Sequence, residues 1–306
     1  MRTTATAAPT GPSMSIFPQF HWGGWSFVHS AWYGGDEIVF VDGGDTEALL
    51  RAVERRKVTK FYAIPAIWKR IFASDPFRYD LSSLRQVNTG TSATPIELRT
   101  ALVETFPGTT TSIGYGATEA GGLCTLASED LLRKPGSVGM PAPGVMPRIE
   151  DGEFWVRSPQ MFLGYFRNPD ATAAAVVDRW YRTGDLVERD DEGYLWVVGR
   201  VKDMIRTGGE TVAPPEIDVV LQRHPAVADG AVAGIPDDDW GEIVAAFIVL
   251  RPGHTLDLAE VRRHCAGTLA GYKQPRRLYL LDAIPRTGPT GQVQRRRLVD
   301  LASPTA

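Results

Sequence analysis

Short apolar runs alternate along this chain with stretches whose apolar positions recur at helical spacing. "EIVFV" at residues 37–41 reads as a strand. "DTEALLRAVERRK" follows, with Ala48, Leu49, Ala52 and Val53 on one helical face and Thr46 as its expected N-cap. "FYAI" reads as a buried strand, and Pro65 opens a second helix where its missing N–H costs nothing. "TPIE" at residues 94–97 has the spacing of a capping box and predicts a helix through about Phe106. "TTTSIGYG" reads as the next strand and turn. Strands and helices in strict alternation predict right-handed crossovers and a mainly parallel sheet with helices on its faces.

After Pro135 the pattern changes. "GSVGMPAPGVMPRIEDGEFWVRSPQMFLGY" is rich in Gly and Pro, with short alternating apolar runs that predict antiparallel strands. "GYLWVVGR" at residues 193–200 is a further strand. Beyond it lies a separate small α+β unit: "PPEIDVVLQRH" and "DLAEVRRHCAGTLA" are helical, while "DGAVAGI", "EIVAAFIVL" and "RRLYLL" are strands. The expected division is a disordered lead-in over 1–16, a large domain over 17–199 and a small mobile domain over 200–306. No internal repeat is visible.

Composition narrows the function classes. The chain has 306 residues, 43% hydrophobic and 23% charged, with a formal net charge of −3. That is a globular composition without the basic excess a nucleic-acid surface needs. The cluster Arg295, Arg296 and Arg297 is the exception, and reads as a solvated basic tail on a helix. The cysteines, Cys124 and Cys265, lie far apart, and the five histidines show no metal-binding spacing. No apolar run approaches the roughly 20 residues that span a bilayer. With no secretory signal in "MRTTATAAPTGPS", the expected location is the cytoplasm.

Four stretches carry candidate chemistry. In "SIGYGATEAGG", Tyr115 offers a flat face for a base and Gly116 permits close backbone approach. Thr118 supplies a hydroxyl and Glu119 a hard carboxylate oxygen for Mg²⁺. The same Thr–Glu pair equally suits a helix start at Ala120. In "WYRTGDL", Asp185 follows a Thr–Gly turn, placed either to accept two adjacent hydroxyls, as on a ribose, or to satisfy its own backbone as an Asx-turn. "GRVKDMIRTGGETVAPPEID" joins a strand end, a charged hinge, a glycine pair and a helix start. "IPRTGPTGQVQRRRL" is a loop shaped to bring a side chain to an anion, yet its tip is the neutral Gln292.

In this order and at these separations, "YGATE", "YRTGDL", "GRVKDMIRTGGETVAPPEI" and "PRTGPTGQ" resemble the successive core motifs of the adenylate-forming superfamily: acyl-CoA synthetases, aryl-CoA ligases and peptide-synthetase adenylation domains. "FPQFH" resembles the motif before the acyl pocket. "GEFWVRSPQMFLGYFRNPDAT" resembles the stretch between "YGATE" and "YRTGDL". The resemblance runs from about Phe17 onward. It implies activation of a carboxylic acid by ATP to an acyl-AMP, then rotation of the small domain and transfer to coenzyme A or a phosphopantetheine arm. It also implies roles: Tyr115 on adenine, Thr118 on phosphate, Glu119 on Mg²⁺, Asp185 with Arg200 on the ribose, Lys202 as hinge and Gly208–Gly209 at the thioester side. Gly90, Thr91 and Ser92 match a glycine-rich nucleotide segment in which Thr91 stands where a second glycine is usual. His21 is placed near the acyl pocket, and equally suits an aromatic cluster with Trp22 and Trp25.

Two departures qualify that picture. The usual Ser/Thr/Gly-rich phosphate loop ending in Lys has no counterpart between Met1 and Phe17. The resemblance therefore implies an α/β fold with only the C-terminal part of the large domain, a partial parallel sheet and an antiparallel subdomain, followed by the small α+β domain. Uncovered apolar surface and a complementing chain or carrier protein are expected with it. In the closing loop, Gln292 occupies the place of a lysine, and "GPT" carries one extra residue. The implied function is an acyl-CoA synthetase acting on an apolar acyl or aryl acid with slowed adenylation. The alternative is an acyl-adenylate-binding partner that is non-catalytic or performs only the thioester step.

Overall fold

The computed structural model describes residues 11–288 and 291–302. Residues 1–10 of the expected lead-in lie outside them, as do Pro289 and Thr290, where an extra residue is expected. The alternating pattern of the first half builds a seven-stranded sheet, ordered β2-β1-β3-β4-β5-β6-β7. Its strands are β1 (Ser13–Ser15), β2 (Ile38–Phe40), β3 (Lys60–Tyr62), β4 (Gln86–Gly90), β5 (Thr110–Ala117), β6 (Gly121–Leu126) and β7 (Met140–Pro141). The ladder is parallel from β2 to β5 and antiparallel from β5 to β7.

β1 corrects the lead-in: residues 13–15 are a strand wedged between β2 and β3, with Met14 buried. Three residues, "SMS", are too short and too polar to show a strand pattern. A second element absent from the sequence reading is α1 (Trp22–Tyr33). The helices α2 (Thr46–Arg56), α3 (Pro65–Ala73) and α4 (Ile96–Thr105) fall where periodicity puts them, but two caps differ. Asp45, not Thr46, caps α2, its carboxylate accepting from the Ala48 N–H at 3.0 Å. The "TPIE" box does not form: Pro95 is the N-cap and the Thr94 hydroxyl turns to the Ser92 carbonyl. Asp45→Ala is expected to cost about 1 kcal/mol, read as a lowered unfolding midpoint, because one orphan N–H of α2 loses its acceptor.

The apolar faces of α2, α3 and α4 close over the sheet on a core that includes Leu49, Val53, Phe61, Trp68, Ile71, Val87 and Leu102. On α1 and β2, Trp25, Trp32, Tyr33 and Phe40 are exposed.

The Gly/Pro-rich segment forms a five-stranded sheet of β8 (Met146–Glu150), β9 (Glu153–Arg157), β10 (Val176–Val177), β11 (Trp180–Arg189) and β12 (Leu195–Arg200), with α5 (Pro169–Ala175). The last sheet contains β13 (Ile205–Thr207), β14 (Glu210–Val212), β15 (Val227–Asp237), β16 (Gly241–Leu250) and β17 (Arg277–Leu280). β15 and β16 are apolar on both faces, and period 2 sorts them. Val232, Val244, Ala246 and Ile248 pack with residues of α6 (Pro214–Gln222) and α7 (Leu258–Ala266). Ala231, Ala233, Ala245 and Phe247 pack with Leu298 of α8 (Arg295–Ala302).

Arg295 corrects the reading of a solvated tail. It is mostly buried and donates to Asp218 at 2.6 Å and to the Val232 carbonyl, while Arg296 and Arg297 are exposed. Two units result. The first comprises Met1–Arg148, Trp155–Arg182 and Arg189–Trp196; the second comprises Ile149–Phe154, Thr183–Glu188 and Val197–Ala306.

Candidate functional site

In the first unit the candidates gather on the ends of β4 and β5. β5 does not lead into a helix at Ala120. It turns back through residues 118–120 into β6, closed by the Ala120 N–H on the Ala117 carbonyl at 3.2 Å. Thr118 is exposed at this turn and Glu119 is half-buried. Gly116 is required by its own hairpin, since a Cβ there would stand 2.4 Å from the Gly121 carbonyl oxygen.

Gly90 ends β4 against β5, and a Cβ would meet the Gly114 carbonyl oxygen at 2.1 Å. Thr91 follows at φ +65°, with its hydroxyl on the Gly90 carbonyl. That left-handed region favours glycine and strains a β-branched residue by about 1–3 kcal/mol, so a second glycine would suit this position physically. Tyr62 reaches the same segment through its hydroxyl, and burial pushes its pKa up to about 12. Tyr115 is half-buried in β5 at the bulge that precedes Gly116.

Glu119 is held from behind by a segment that the sequence reading placed only between motifs. The Phe162 N–H donates to the Glu119 carbonyl at 2.8 Å, and the Tyr165 Oη donates to Glu119 Oε1 at 2.8 Å. Gln160 Oε1 accepts from the Gly122 N–H at 3.2 Å. Phe162 stacks edge-on against both Tyr165 and Tyr181, with centroids 4.9 and 5.9 Å apart. Burial first, then the bond to Glu119, push the Tyr165 hydroxyl up to about 12, so it is a neutral donor throughout the ordinary pH range. The only sequence signal for this clamp was the apolar density of "MFLGYF".

His21 stands at the start of α1. Its Nδ1 accepts from the Gly23 N–H at 3.1 Å as the N-cap of α1, and its ring stacks on Phe17 at 5.9 Å. Burial lowers its pKa. Phe17, Phe27 and Tyr62 complete an aromatic cluster there.

In the second unit, Asp185 is only 6% exposed and accepts from Arg200 Nε at 2.9 Å. The expected Thr–Gly turn is not formed: Thr183, Gly184 and Asp185 lie inside β11, and Asp185 makes no Asx-turn. The Asp185 N–H goes to Thr183 Oγ1, the Gly184 N–H to Glu153, and the Val187 N–H to the Gly152 carbonyl. Lys202 is exposed in a single 3₁₀ turn, Val201–Asp203, between β12 and β13. Gly208 and Gly209 form a two-residue hairpin turn at φ +57° and +87°. Both angles need glycine, and a Cβ on Gly208 would also strike Trp240 at 2.5 Å, whereas Gly209 faces open space.

Gln292 is tied to Thr287 through its backbone. Its N–H donates to Thr287 Oγ1 at 3.0 Å and its carbonyl accepts from the Thr287 N–H at 2.9 Å. Arg286 anchors that loop on Asp229 at 2.8 Å and on the Gly291 carbonyl at 2.8 Å.

Comparison with known proteins decides what these residues belong to. The family model described as AMP-binding enzyme matches residues 2–166, and that described as AMP-binding enzyme C-terminal domain matches residues 216–290. The chain belongs to the AMP-binding enzyme family. It is 36% identical to a 4-coumarate–CoA ligase-like protein of Oryza sativa subsp. japonica, over 95% of this chain and 51% of the relative. It is also 36% identical to an indoleacetate–CoA ligase of Aromatoleum aromaticum, over 90% of this chain and 56% of the relative. The chain thus spans about half the length of the curated relatives it matches.

Among solved structures, an amide bond synthetase from Marinactinospora thermotolerans superposes with a TM-score of 0.86 at 30% identity, covering 97% of this chain and 63% of the other. The o-succinylbenzoate CoA synthetase of Bacillus subtilis, in complex with its acyl-adenylate intermediate, gives 0.85 at 29% identity over 94% of this chain and 60% of the other. The mixed α/β architecture with a small C-terminal domain matches these adenylate-forming structures. Among the described residues no helix is long and apolar enough to cross a membrane.

Proposed function

We propose that this chain binds the adenylate part of ATP and of an acyl-AMP, and that it serves acid–thiol ligation of the acyl-CoA synthetase kind. The observation that carries the reading is Asp185: a buried carboxylate within β11, next to Gly184 at φ +71°, held by Arg200 Nε at 2.9 Å. A charge-assisted acceptor there suits the paired hydroxyls of a ribose. Tyr115 serves adenine, and Thr118 the phosphate.

A magnesium ion fits Glu119. Its Oε1 is occupied by Tyr165, and among the described residues there is no cluster of three or more His, Cys, Asp or Glu that could form an all-protein cage. One carboxylate shared with phosphate oxygens is the way Mg²⁺ is usually held on nucleotides. The ion supplies charge neutralisation at the phosphates; Glu119 supplies the anchor and Tyr165 fixes its direction. Lys202 serves as the hinge, and Gly209, with open space beside it, lines the thioester side.

The aromatic cluster of Phe17, Phe27 and Tyr62 favours an apolar acyl or aryl acid. Relatives that act on aryl acids by name, among them a feruloyl-CoA synthase from an Amycolatopsis species, agree with an aryl group. Coenzyme A, or a phosphopantetheine arm, is the acceptor. Gln292 favours a second reading, in which the chain holds an acyl-adenylate made elsewhere and completes only the thioester step, or acts as a non-catalytic partner of a complete ligase.

The experiment is calorimetric titration with AMP. Asp185→Asn removes the charge at constant shape and is expected to weaken AMP binding about 10–100-fold, the loss for hydrogen bonds to a charged group. An unchanged Kd in the folded variant refutes the ribose role.

A further inference from the structure

We infer that Tyr165 is a positioning residue for the metal-binding carboxylate: its hydroxyl fixes Glu119 Oε1 and so aims Oε2 at the cation. This rests on the proposed role of Glu119. Tyr165 lies on a loop tied to the Glu119 turn three times over, through the Phe162 N–H on the Glu119 carbonyl, Gln160 on the Gly122 N–H, and the Tyr165 hydroxyl itself.

The loop is rigid enough to aim a side chain. The Tyr165 N–H donates to Thr172 Oγ1 at 2.9 Å, and Thr172 Oγ1 donates in turn to the Asn168 carbonyl at 2.9 Å. The Tyr165 ring is held edge-on by Phe162, and its hydroxyl also meets that of the buried Tyr181. The Tyr165 hydroxyl donates to one carboxylate oxygen of Glu119. A glutamate has three rotatable side-chain bonds. Without this bond the half-buried Glu119 carboxylate loses the donor that fixes its rotamer, and metal binding must order it. Partners that orient a ligating carboxylate are worth about 10–100-fold in metal affinity.

The test measures Mn²⁺ binding, by the free-ion paramagnetic resonance signal, to the whole chain saturated with α,β-methylene-ATP. The set is wild type, Tyr165→Phe, Glu119→Gln and the double variant. Phenylalanine keeps the ring against Phe162 and removes only the hydroxyl. Tyr165→Phe is expected to weaken Mn²⁺ about 10-fold, to leave metal-free affinity for the analogue unchanged, and to add nothing in the Glu119→Gln background.

If Glu119→Gln weakens Mn²⁺ but Tyr165→Phe does not, the positioning role is wrong and the Glu119 role stands. If Glu119→Gln changes nothing, or the wild-type complex takes up no Mn²⁺, the Glu119 role fails and this inference with it. If Tyr165→Phe weakens metal-free nucleotide binding and Mn²⁺ alike, the hydroxyl holds the loop rather than the carboxylate, and the inference is overturned.

Discussion

Gln292→Lys is expected to raise the rate of acyl-AMP formation by about 10²–10³, the range lost when one preorganised donor to a developing charge is removed. Attack of a carboxylate on the α-phosphate gathers negative charge from two anions, and an amide donates hydrogen bonds without supplying compensating charge. Both backbone groups of Gln292 are bonded to Thr287, and Arg286 holds the loop through a two-pronged contact with Asp229 at 2.8 and 3.2 Å. Pyrophosphate release with a panel of aryl and acyl acids measures the effect. A rate that does not rise in the folded variant would show that position 292 is not where the missing charge matters, and would favour the thioester-only reading.

Asp218→Ala should destabilise the second unit by about 3–5 kcal/mol, the usual cost of stranding one partner of a buried ion pair. Asp218 Oδ2 accepts from Arg295 at 2.6 Å and Oδ1 from the Val232 N–H at 2.7 Å, with both charged side chains mostly buried. One carboxylate thus ties α6, β15 and the start of α8 together. Its removal leaves a guanidinium without its counter-charge and an N–H without its acceptor. Asp218→Leu combined with Arg295→Met should recover most of the loss, because replacing the whole pair avoids the uncompensated charge. Denaturant unfolding of the single and double variants reads both effects; a single-variant loss under about 1 kcal/mol contradicts the claim that a buried charge is stranded.

What could be read from the sequence follows from how many residues carry each signal. α2 and α3 repeat their apolar positions and have clear starts, and β15 and β16 are long apolar runs, so their type was plain. β1 has three residues, and only its neighbours make it a strand. α1 was hidden because "WGGWSFVHSAWY" combines two glycines with an aromatic run of weak periodicity, while its start depends on a histidine cap. The motif residues were legible as types, but their surroundings were not. Gly116 and Gly208 answer to Gly121 and Trp240, which lie elsewhere in the chain. Arg295 was indistinguishable from Arg296 and Arg297 until helix phase turned it onto Asp218. Tyr165 sits 46 positions from Glu119, and no local pattern announces such a bond.

The central claim is that the ordered carboxylate, arginine and glycine positions serve an adenosine monophosphate ester. Titrating the folded chain with a hydrolysis-resistant acyl-AMP mimic, beside AMP and the Asp185→Asn variant, tests it most directly. Saturable one-site binding that is tighter than for AMP and lost in the variant is the predicted result. No saturable heat from a folded chain, or equal binding by the variant, would contradict it.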